Sequence, residues 1–170
     1  EGRVGYVKKT VVLNDLMRPI IEIAQKQCHD KGLTCEFHEP PQPLPVVRAD
    51  AQKMRLAFTK LVENAIQYTP KGGHVAVELK QEGSRIRFEV TDTGIGIPKA
   101  DQPNIGKGFF RASNAFLSEP DASGVGLAIV TYIVNEQDGV MGFTSKEGQG
   151  STFWFEIPII SLSNKTVTKT

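Results

Sequence analysis

The chain has 170 residues, a formal net charge of +1 and only two cysteines, and its ordinary composition predicts one globular domain with a real core. So small a charge gives no reason to expect nucleic acid or an acidic surface as a partner. No apolar run is long enough to span a membrane and no signal peptide is visible, whereas a first residue other than methionine is consistent with a piece of a longer protein.

The first half of the chain predicts alternating strands and helices. A strand is expected at about 7–12, followed by a helix capped near Asn14, with Pro19 near its start, where a lost N–H costs least. Residues 33–37 read as a second strand. After a proline-rich connector, residues 46–48 are expected to form a short third strand.

The next segment predicts a helix and a hairpin. Asp50 is expected to cap a helix that runs to about Tyr68. Apolar and polar residues then alternate over 75–79 and 86–90, which is typical of strands with one buried face. A turn at Glu82-Gly83 joins them.

The last third contains a long polar segment, a helix and two strands. Residues 98–123 are polar and mostly aperiodic, and so long a loop in a compact domain is functional or disordered. A nearly all-apolar helix is expected to begin at Ser123-Gly124. Strands near 140–145 and 152–157 follow.

Together these elements predict an α+β fold, a two-layer sandwich of a mixed, largely antiparallel sheet with helices on one face. The domain is expected to span residues 1–160. The polar tail at 161–170 is expected to be frayed.

The cysteines and nearby histidines invite a metal interpretation. Cys28, His29, Cys35 and His38 are close in sequence, but Cys35 is expected to share a strand face with Leu33, and His38 to lie on the other face. Two cysteines also do not suggest a disulfide framework. The favoured interpretation is therefore a buried thiol with surface histidines.

Asp92 is the most informative residue, because strand alternation places its carboxylate on the inward face where a strand ends. An inward carboxylate is costly unless a specific group hydrogen-bonds to it. Gly94 and Gly96 follow at once and allow another backbone or ligand to come close. Since an aspartate at a strand end is more often a turn or cap residue, the remaining motifs must decide its role.

Four short motifs occur in order, and together they closely resemble the N, G1, G2 and G3 boxes of the Bergerat-fold (GHKL) ATPases, the superfamily of DNA gyrase, HSP90, histidine kinases and MutL. A fifth motif resembles the F box, which points within that superfamily to sensor histidine kinases. The resemblance covers residues 10–158. The motifs are Leu61-Val62-Glu63-Asn64-Ala65, Asp92-Thr93-Gly94-Ile95-Gly96, Gly124-Val125-Gly126-Leu127, Gly148-Gln149-Gly150-Ser151-Thr152-Phe153 and, for the F box, Gly108-Phe109-Phe110-Arg111-Ala112.

This resemblance implies ATP and Mg²⁺ as cofactors. In the family the G1 aspartate accepts a hydrogen bond from the adenine amino group, which here assigns that role to Asp92, with Gly94 and Gly96 in the same turn. Thr152 would assist through a water. Asn64 would offer its amide oxygen to Mg²⁺, a hard cation that also binds phosphates.

Phosphate binding is assigned to the start of the last helix and to the loop before it. Gly124, Gly126 and Leu127 open that helix, where free N–H groups suit phosphate; simple helix entry is the alternative. Residues 98–123 would be a nucleotide lid that is mobile without nucleotide. Its cations Lys107 and Arg111 are able to reach phosphate, or are solvated loop charges.

The resemblance favours a kinase over a hydrolase. Hydrolysing relatives carry a glutamate one helical turn before the asparagine, where this chain has Lys60, which cannot deprotonate water while charged. Glu63 lies about 100° around the helix from Asn64, so it is poorly placed to substitute for that glutamate. The expected reaction is transfer of the γ-phosphoryl group to a histidine on a separate dimerisation domain, since His29, His38 and His74 lack an acceptor context.

The implied catalytic residues are Asn64, Lys60 and Arg111. Kinases of this family usually carry a cation where this chain has Gln67. One hypothesis is that Lys60 has taken over its phosphate contact; the equal alternative is that Lys60 is solvated and Arg111 or Lys107 makes that contact. Gln137-Asp138-Gly139 likewise replaces the frequent His-Gly-Gly. These departures leave open a pseudokinase that binds ATP without phosphotransfer. The resemblance further implies a downstream response regulator as partner, a cytoplasmic location and no membrane contact by this domain.

Overall fold

The computed structural model describes residues 5–160, so the predicted tail lies outside the described residues. Strands and helices follow each other much as the sequence predicts. A single 3₁₀ turn, Gln102–Asn104, precedes the third helix. In chain order the elements are β1 (Lys9–Val11), α1 (Leu13–Lys31), β2 (Thr34–His38), β3 (Val47–Ala49), α2 (Ala51–Tyr68), β4 (His74–Glu82), β5 (Arg85–Asp92), α3 (Ser113–Ser118), α4 (Gly126–Asn135), β6 (Val140–Lys146) and β7 (Gly150–Pro158).

The main sheet has the strand order β2-β4-β5-β7-β6. β2 runs parallel to β4, whereas the other neighbouring pairs are antiparallel. β1 and β3 form a separate antiparallel ribbon. The predicted fold class, a mixed and largely antiparallel sheet in an α+β domain, is confirmed.

The core lies between one face of this sheet and the helices. Along β5, Ile86, Phe88 and Val90 are buried, while the residues between them point to the other face. Phe58 of α2 packs edge-on against Phe88 with ring centroids 4.5 Å apart, and against Phe155 at 5.3 Å. Burying rings of this size supplies much of the apolar area that joins the two layers.

The opposite sheet face carries charged and polar side chains together with the Trp154 ring. Arg87 donates to Glu89 at 2.8 Å and to Glu156 at 3.1 Å, and its guanidinium lies 4.2 Å from the Trp154 ring centre. Because the side chains alternate strictly along a strand, the core face and this charged face are set by the same register.

Helix α2 has the cap and the apolar stripe that the sequence predicts. The Asp50 carboxylate accepts from the backbone N–H of Lys53 at 3.1 Å and from that of Val7 at 2.9 Å. Met54, Phe58 and Leu61 are fully buried. Successive residues are 100° apart around a helix. Burial of this apolar stripe therefore places the neighbouring polar stripe at the edge of the core.

The predicted start of α1 is wrong. Val12 is the N-cap and makes no side-chain cap bond. Asn14 is buried inside the helix, where its side-chain oxygen accepts from the Leu44 N–H at 3.3 Å. Pro19 is an exposed residue within α1 rather than in its first turn. Asp15, whose carbonyl loses its helical partner, is also exposed, so water can satisfy that oxygen.

The prediction of a buried thiol is wrong, because Cys28 and Cys35 form a disulfide with their Cα atoms 6.3 Å apart. Packing α1 beside β2 brings both sulfurs to the same interface. His29 and His38 are exposed, with 91% and 58% of their side-chain surface accessible. Within residues 5–160, no group of three or more His, Cys, Asp or Glu side chains is arranged to hold a metal ion.

Several strand boundaries differ from the expectations by one to three residues, and three further differences concern turns and helices. The hairpin turn falls at Gly83-Ser84, α4 begins at Gly126, and the segment 98–123 contains a 3₁₀ turn and α3 rather than only loop. A six-residue helix carries too little periodicity to be recognised in sequence. Among residues 5–160, none of the helices is both long and apolar enough to cross a membrane.

Candidate nucleotide site

A cavity of about 380 Å³ lies between α2, α4, the end of β5 and the 98–123 segment. All four motifs contribute to its wall, although they are distant in sequence. The residues from these motifs that line it are Glu63, Asn64, Asp92, Ile95, Gly96, Gly124, Val125, Gly126, Leu127, Ser151 and Phe153. The volume and the mixture of apolar walls with a few polar groups suit a nucleotide-sized ligand.

Asp92 is the buried acceptor of this cavity. Its side chain is 6% exposed, and the Gly94 N–H donates to Oδ1 at 2.8 Å. Burial raises the pKa of this carboxyl to about 6, while the backbone N–H groups of Gly94 and Ser151 oppose the shift. At neutral pH the group is therefore an ionised acceptor with lone pairs remaining for a ligand donor.

Two glycines let loops close around Asp92. Gly96 has φ +63° and Gly150 has φ +106°. A Cβ at Gly96 would collide with the Lys146 carbonyl, and one at Gly150 would collide with the Asp92 carbonyl. Glycine is required at both positions for conformation and for space. Gly94 lies outside the cavity wall but supplies the N–H that holds the carboxylate.

Thr152 is not at this site, which corrects the sequence-based choice. Thr152 pairs with Thr91 across the sheet, with their hydroxyl oxygens 3.0 Å apart on the opposite face. Ser151 instead lines the cavity and stands opposite Asp92 in the strand register. Phe153 and Phe155 are buried, and strand alternation therefore predicts an inward residue at 151. The sequence pattern was thus sufficient to identify Ser151.

Asn64 and the start of α4 bring polar groups to the other end of the cavity. Among the described residues, the Asn64 carboxamide makes no hydrogen bond, so its oxygen remains able to bind a cation. Gly124, Gly126 and Leu127 line the same region. A Cβ at Gly126 would meet only the Lys60 Cδ, 3.8 Å away. The first N–H groups of α4 therefore face space that a phosphate can enter.

Lys60 lies on this wall, together with a carboxylate that the sequence analysis discounted. Lys60 Nζ is 3.2 Å from Glu63 Oε2, and both side chains line the cavity beside Asn64. Gln67 lines it as well. Glu63 is offset by about 100° from Asn64 around α2. It still lines the cavity, because the cavity is wide enough to contact both of these neighbouring helical stripes. Among the cations of α2, Lys60 is the one that lines the cavity, and its Cδ lies near Gly126.

Arg111 is not free to reach phosphate in this structure, contrary to the expectation. Its guanidinium is buried and donates to the carbonyls of Ala115 at 3.0 Å, Pro120 at 3.2 Å and Glu119. It also stacks on Phe116, 4.5 Å from the ring centre. These bonds satisfy carbonyls at the end of α3, so here Arg111 organises the segment that carries it.

Lys107 is not part of the cavity wall, whereas Arg111 lines it. It is exposed, and its Nζ lies 3.5 Å from Asn104 Oδ1. Phe110 lines the cavity, whereas Phe109 points outward with 79% of its surface exposed. The loop therefore contributes an apolar wall rather than a free cation at this position.

Specific hydrogen bonds attach the 98–123 segment to the domain. Asp101 accepts from the Ser113 N–H at 2.8 Å and hydroxyl at 2.7 Å, which caps α3. Asn114 donates from Nδ2 to the Gly96 carbonyl at 2.9 Å. No sequence motif indicated Asn114, because its role depends on the docking of α3 against the turn after Asp92. Whether the segment orders on nucleotide binding stays a prediction.

Limited proteolysis with chymotrypsin tests that prediction. Phe109 and Leu117 are the most exposed large apolar residues of the segment, at 79% and 87%, and fit the hydrophobic specificity pocket of this protease. We expect first cuts at these residues, with slower cutting when a non-hydrolysable ATP analogue is bound, because ordering suppresses local opening. A guanine analogue is the control. Equal cutting with and without the ATP analogue would contradict a nucleotide lid.

The fold and the site define a nucleotide-binding domain of the Bergerat type. Residues 49–161 match the family HATPase_c, described as "Histidine kinase-, DNA gyrase B-, and HSP90-like ATPase". Because this match covers more than half of the chain, the protein belongs to that family.

Similar proteins narrow the class to histidine kinases. The chain is 32% identical to the adaptive-response sensory kinase SasA of Synechocystis sp. over 152 residues, which are 89% of this chain and 39% of that protein. The chain therefore spans less than half the length of this curated relative. The sequence relatives place it among the catalytic domains of histidine kinases.

Solved structures agree with this assignment. The catalytic domain of histidine kinase ThkA (TM1359), in a nucleotide-free form, matches with a TM-score of 0.74 and 25% identity, covering 89% of this chain and 95% of that one. Full-length ShkA in complex with AMPPNP matches with a TM-score of 0.77 and 28% identity, covering 94% of this chain and 33% of that one. The predicted family and the predicted type of catalytic domain are confirmed.

Proposed function

We propose that this domain binds ATP with Mg²⁺ and transfers the γ-phosphoryl group to a histidine on a dimerisation domain of the same full-length protein. One observation carries the proposal: a buried ionised acceptor, Asp92, faces a cavity whose other end has a free carboxamide, Asn64, and open helix N–H groups at Gly126. An acceptor selects adenine over guanine, whose carbonyl would leave two acceptors facing each other.

The remaining roles follow from placement in the cavity. Ser151, rather than Thr152, is proposed to support the adenine contact. Asn64 would hold Mg²⁺, which needs few protein ligands because it keeps waters and binds phosphate oxygens, and the ion would neutralise phosphate charge. Lys60 is proposed to contact the γ-phosphate across from the first N–H groups of α4. Positioning and charge stabilisation of this kind supply most of the rate in phosphoryl transfer.

Partners and location are also part of the proposal. ThkA, a structural neighbour, has been solved in complex with response regulator protein TrrA, which supports a response regulator as the downstream partner here. A cytoplasmic location fits a domain that consumes ATP. The full-length protein would supply the dimerisation domain and any membrane tether.

A pseudokinase remains the second candidate, and one observation favours it. The usual cation position is the neutral Gln67, and Arg111 is bound to three carbonyls. Lys60 then stands as the main protein cation of the phosphate end within the described residues. If Lys60 cannot serve that role, the domain would bind ATP and signal by shape.

Phosphotransfer in trans separates the two candidates. We expect the isolated chain not to label itself with γ-labelled ATP and to turn ATP over slowly, because Lys60 occupies the position of the hydrolytic glutamate. Adding the separately purified dimerisation domain should give acid-labile label on that partner.

The matched control is the same partner with its acceptor histidine changed to glutamine. ATP binding without any label on the intact partner would support a pseudokinase, and rapid steady turnover by the fragment would indicate a hydrolase.

A further inference from the structure

We propose that Cys28 and Cys35 form a redox-reversible bridge that tunes nucleotide binding through Lys31. The bridge joins α1, which packs against α2, to β2, and neither cysteine lines the nucleotide cavity. The inference rests on the proposed nucleotide binding and adds a modification site to it. Disulfides inside cytoplasmic domains of ordinary proteins are rare, and those that occur are mostly redox-sensing or catalytic.

The two sulfurs differ in access, which gives the reaction a direction. Cys28 is 2% exposed, whereas Cys35 is partly exposed on β2, an edge strand of the sheet. Hydrogen peroxide therefore meets Cys35 first: its thiolate attacks one peroxide oxygen, the O–O bond breaks, and the departing hydroxide takes up the proton that the thiol released, giving a sulfenic acid and water. The Cys28 thiol then condenses with the sulfenic acid, forming the S–S bond and releasing a second water. A dithiol reverses the reaction by exchange at Cys35.

The bridge sits beside the turn that ends α1. Gly32, with φ +72°, closes the helix, and the Leu33 N–H donates to the Cys28 carbonyl at 2.8 Å. Cross-linking Cys28 to β2 therefore restrains both sides of this turn. Lys31, the last residue of α1, is carried within the restrained segment.

Lys31 connects that turn to the end of α2. Its Nζ donates to the carbonyls of Ile66 and Gln67, both at 2.7 Å, where the last carbonyls of a helix attract a cation. Gln67 and the next residue, Tyr68, line the nucleotide cavity. The Tyr68 carbonyl in turn accepts from the Ile95 N–H at 3.1 Å, within the turn after Asp92. A continuous set of contacts thus runs from the cysteines to the adenine end.

A second set of bonds ties the same two turns together. The Gly72 N–H donates to the Gly32 carbonyl and the Thr34 N–H donates to the Gly73 carbonyl, each at 2.9 Å. The segment after α2 is therefore held by the segment after α1. Loosening the α1–β2 junction by reduction should weaken the order of the α2 end, whereas oxidation should support it.

The test compares the purified chain after hydrogen peroxide and after dithiothreitol. We expect no alkylatable thiol in the oxidised chain and two in the reduced chain. Oxidation should raise the melting temperature by about 5–10 °C, the usual effect of closing a short loop. It should also tighten binding of a fluorescent ATP analogue by about fivefold, the low end of typical coupling between sites.

Variants identify the route of the effect. Cys35→Ser, with Cys28→Ala as a second way to remove the bridge, should bind the analogue like the reduced chain under both conditions. Lys31→Met should remove most of the redox dependence while leaving the bridge intact. Lys26→Met, an exposed lysine on the same helix, is the matched control and should change nothing.

Three results would overturn the inference. The first is two free thiols after peroxide, the second is equal affinity in both redox forms, and the third is a redox effect that persists in both cysteine variants. Absence of nucleotide binding in either form would instead contradict the proposed function. The number of free thiols would then still show whether the bridge forms. The redox shift of the nucleotide-free melting temperature, compared between the wild type and Lys31→Met, would decide whether the bridge acts on the end of α2.

Discussion

Replacing Asp92 with asparagine should weaken ATP binding by about 2 kcal/mol or more, which is roughly a 30-fold loss of affinity. The carboxylate is 6% exposed at the cavity wall, and the substitution presents an amide donor to the adenine amino group, which is itself a donor. Calorimetry with a non-hydrolysable ATP analogue measures the change at pH 7.5. Unchanged affinity in the variant would sink the assignment of Asp92 to the base.

The same substitution should stabilise the nucleotide-free domain at neutral pH. Burial raises the pKa of Asp92 to about 6 from the value of 3.8 that an exposed aspartate has. Between pH 4 and 6 the folded state therefore holds a proton that the unfolded state has lost, so the free energy of unfolding falls as pH rises through this window. Above pH 6 the free energy of unfolding is lower than below pH 4 by at most about 3 kcal/mol from this group. Asparagine does not titrate and should remove this slope.

Urea unfolding at several pH values between 4 and 7.5 checks the expectation. Asp30→Asn, at an exposed carboxylate, is the control and should keep the wild-type slope. A variant Asp92→Asn whose stability varies with pH as in the wild type would contradict a raised pKa at this position. A buried charge that costs stability but serves binding is what a ligand site requires.

Replacing Lys60 with asparagine should slow phosphotransfer to the dimerisation domain by roughly 10- to 150-fold. A charge-assisted contact to phosphate contributes about 1.5–3 kcal/mol, and this translates into rate if it acts in the transition state. Lys60 lines the cavity near Gly126, and its Glu63 partner is also half-exposed. Because such a partly exposed pair adds little stability, the variant should remain folded.

Adding Gln67→Lys to Lys60→Asn should recover much of the lost rate, since Gln67 lines the same cavity. Initial rates of label transfer, with melting temperatures as a check on folding, measure both variants. Lys53→Asn, on the same helix but outside the cavity wall, is the matched control. A wild-type rate in Lys60→Asn, or no recovery in the double variant, would show that the cation has not moved from one position to the other.

The local sequence pattern was sufficient to predict most of the helices and strands and part of the set of residues that line the cavity. The alternation around Phe88 and the Asp50 cap identified β5 and α2, because strand period and capping chemistry are properties of neighbouring residues. The motifs containing Asn64, Asp92 and Gly124 were recognised as a set, and the structure brings them to one cavity.

Other features could be decided only by the tertiary structure, because they depend on contacts between segments far apart in the chain. Arg111 reads as a phosphate cation in the sequence, yet the docking of α3 places its donors on three carbonyls. Cys28 and Cys35 read as unrelated thiols until α1 packs beside β2. Asn114 carries no motif at all and gains its role from the Gly96 carbonyl.

The sequence by itself thus determined the fold class, the family and the inward direction of the Asp92 side chain, since periodicity and motif chemistry are properties of neighbouring residues. The tertiary structure alone decided which of two adjacent hydroxyls, Ser151 or Thr152, faces that acceptor, because the register of β5 against β7 sends one inward and the other to the opposite face. It also decided how the cations of the cavity wall are engaged, because carbonyls of the 98–123 segment bind Arg111, whereas Lys60 is paired with the half-exposed carboxylate of Glu63.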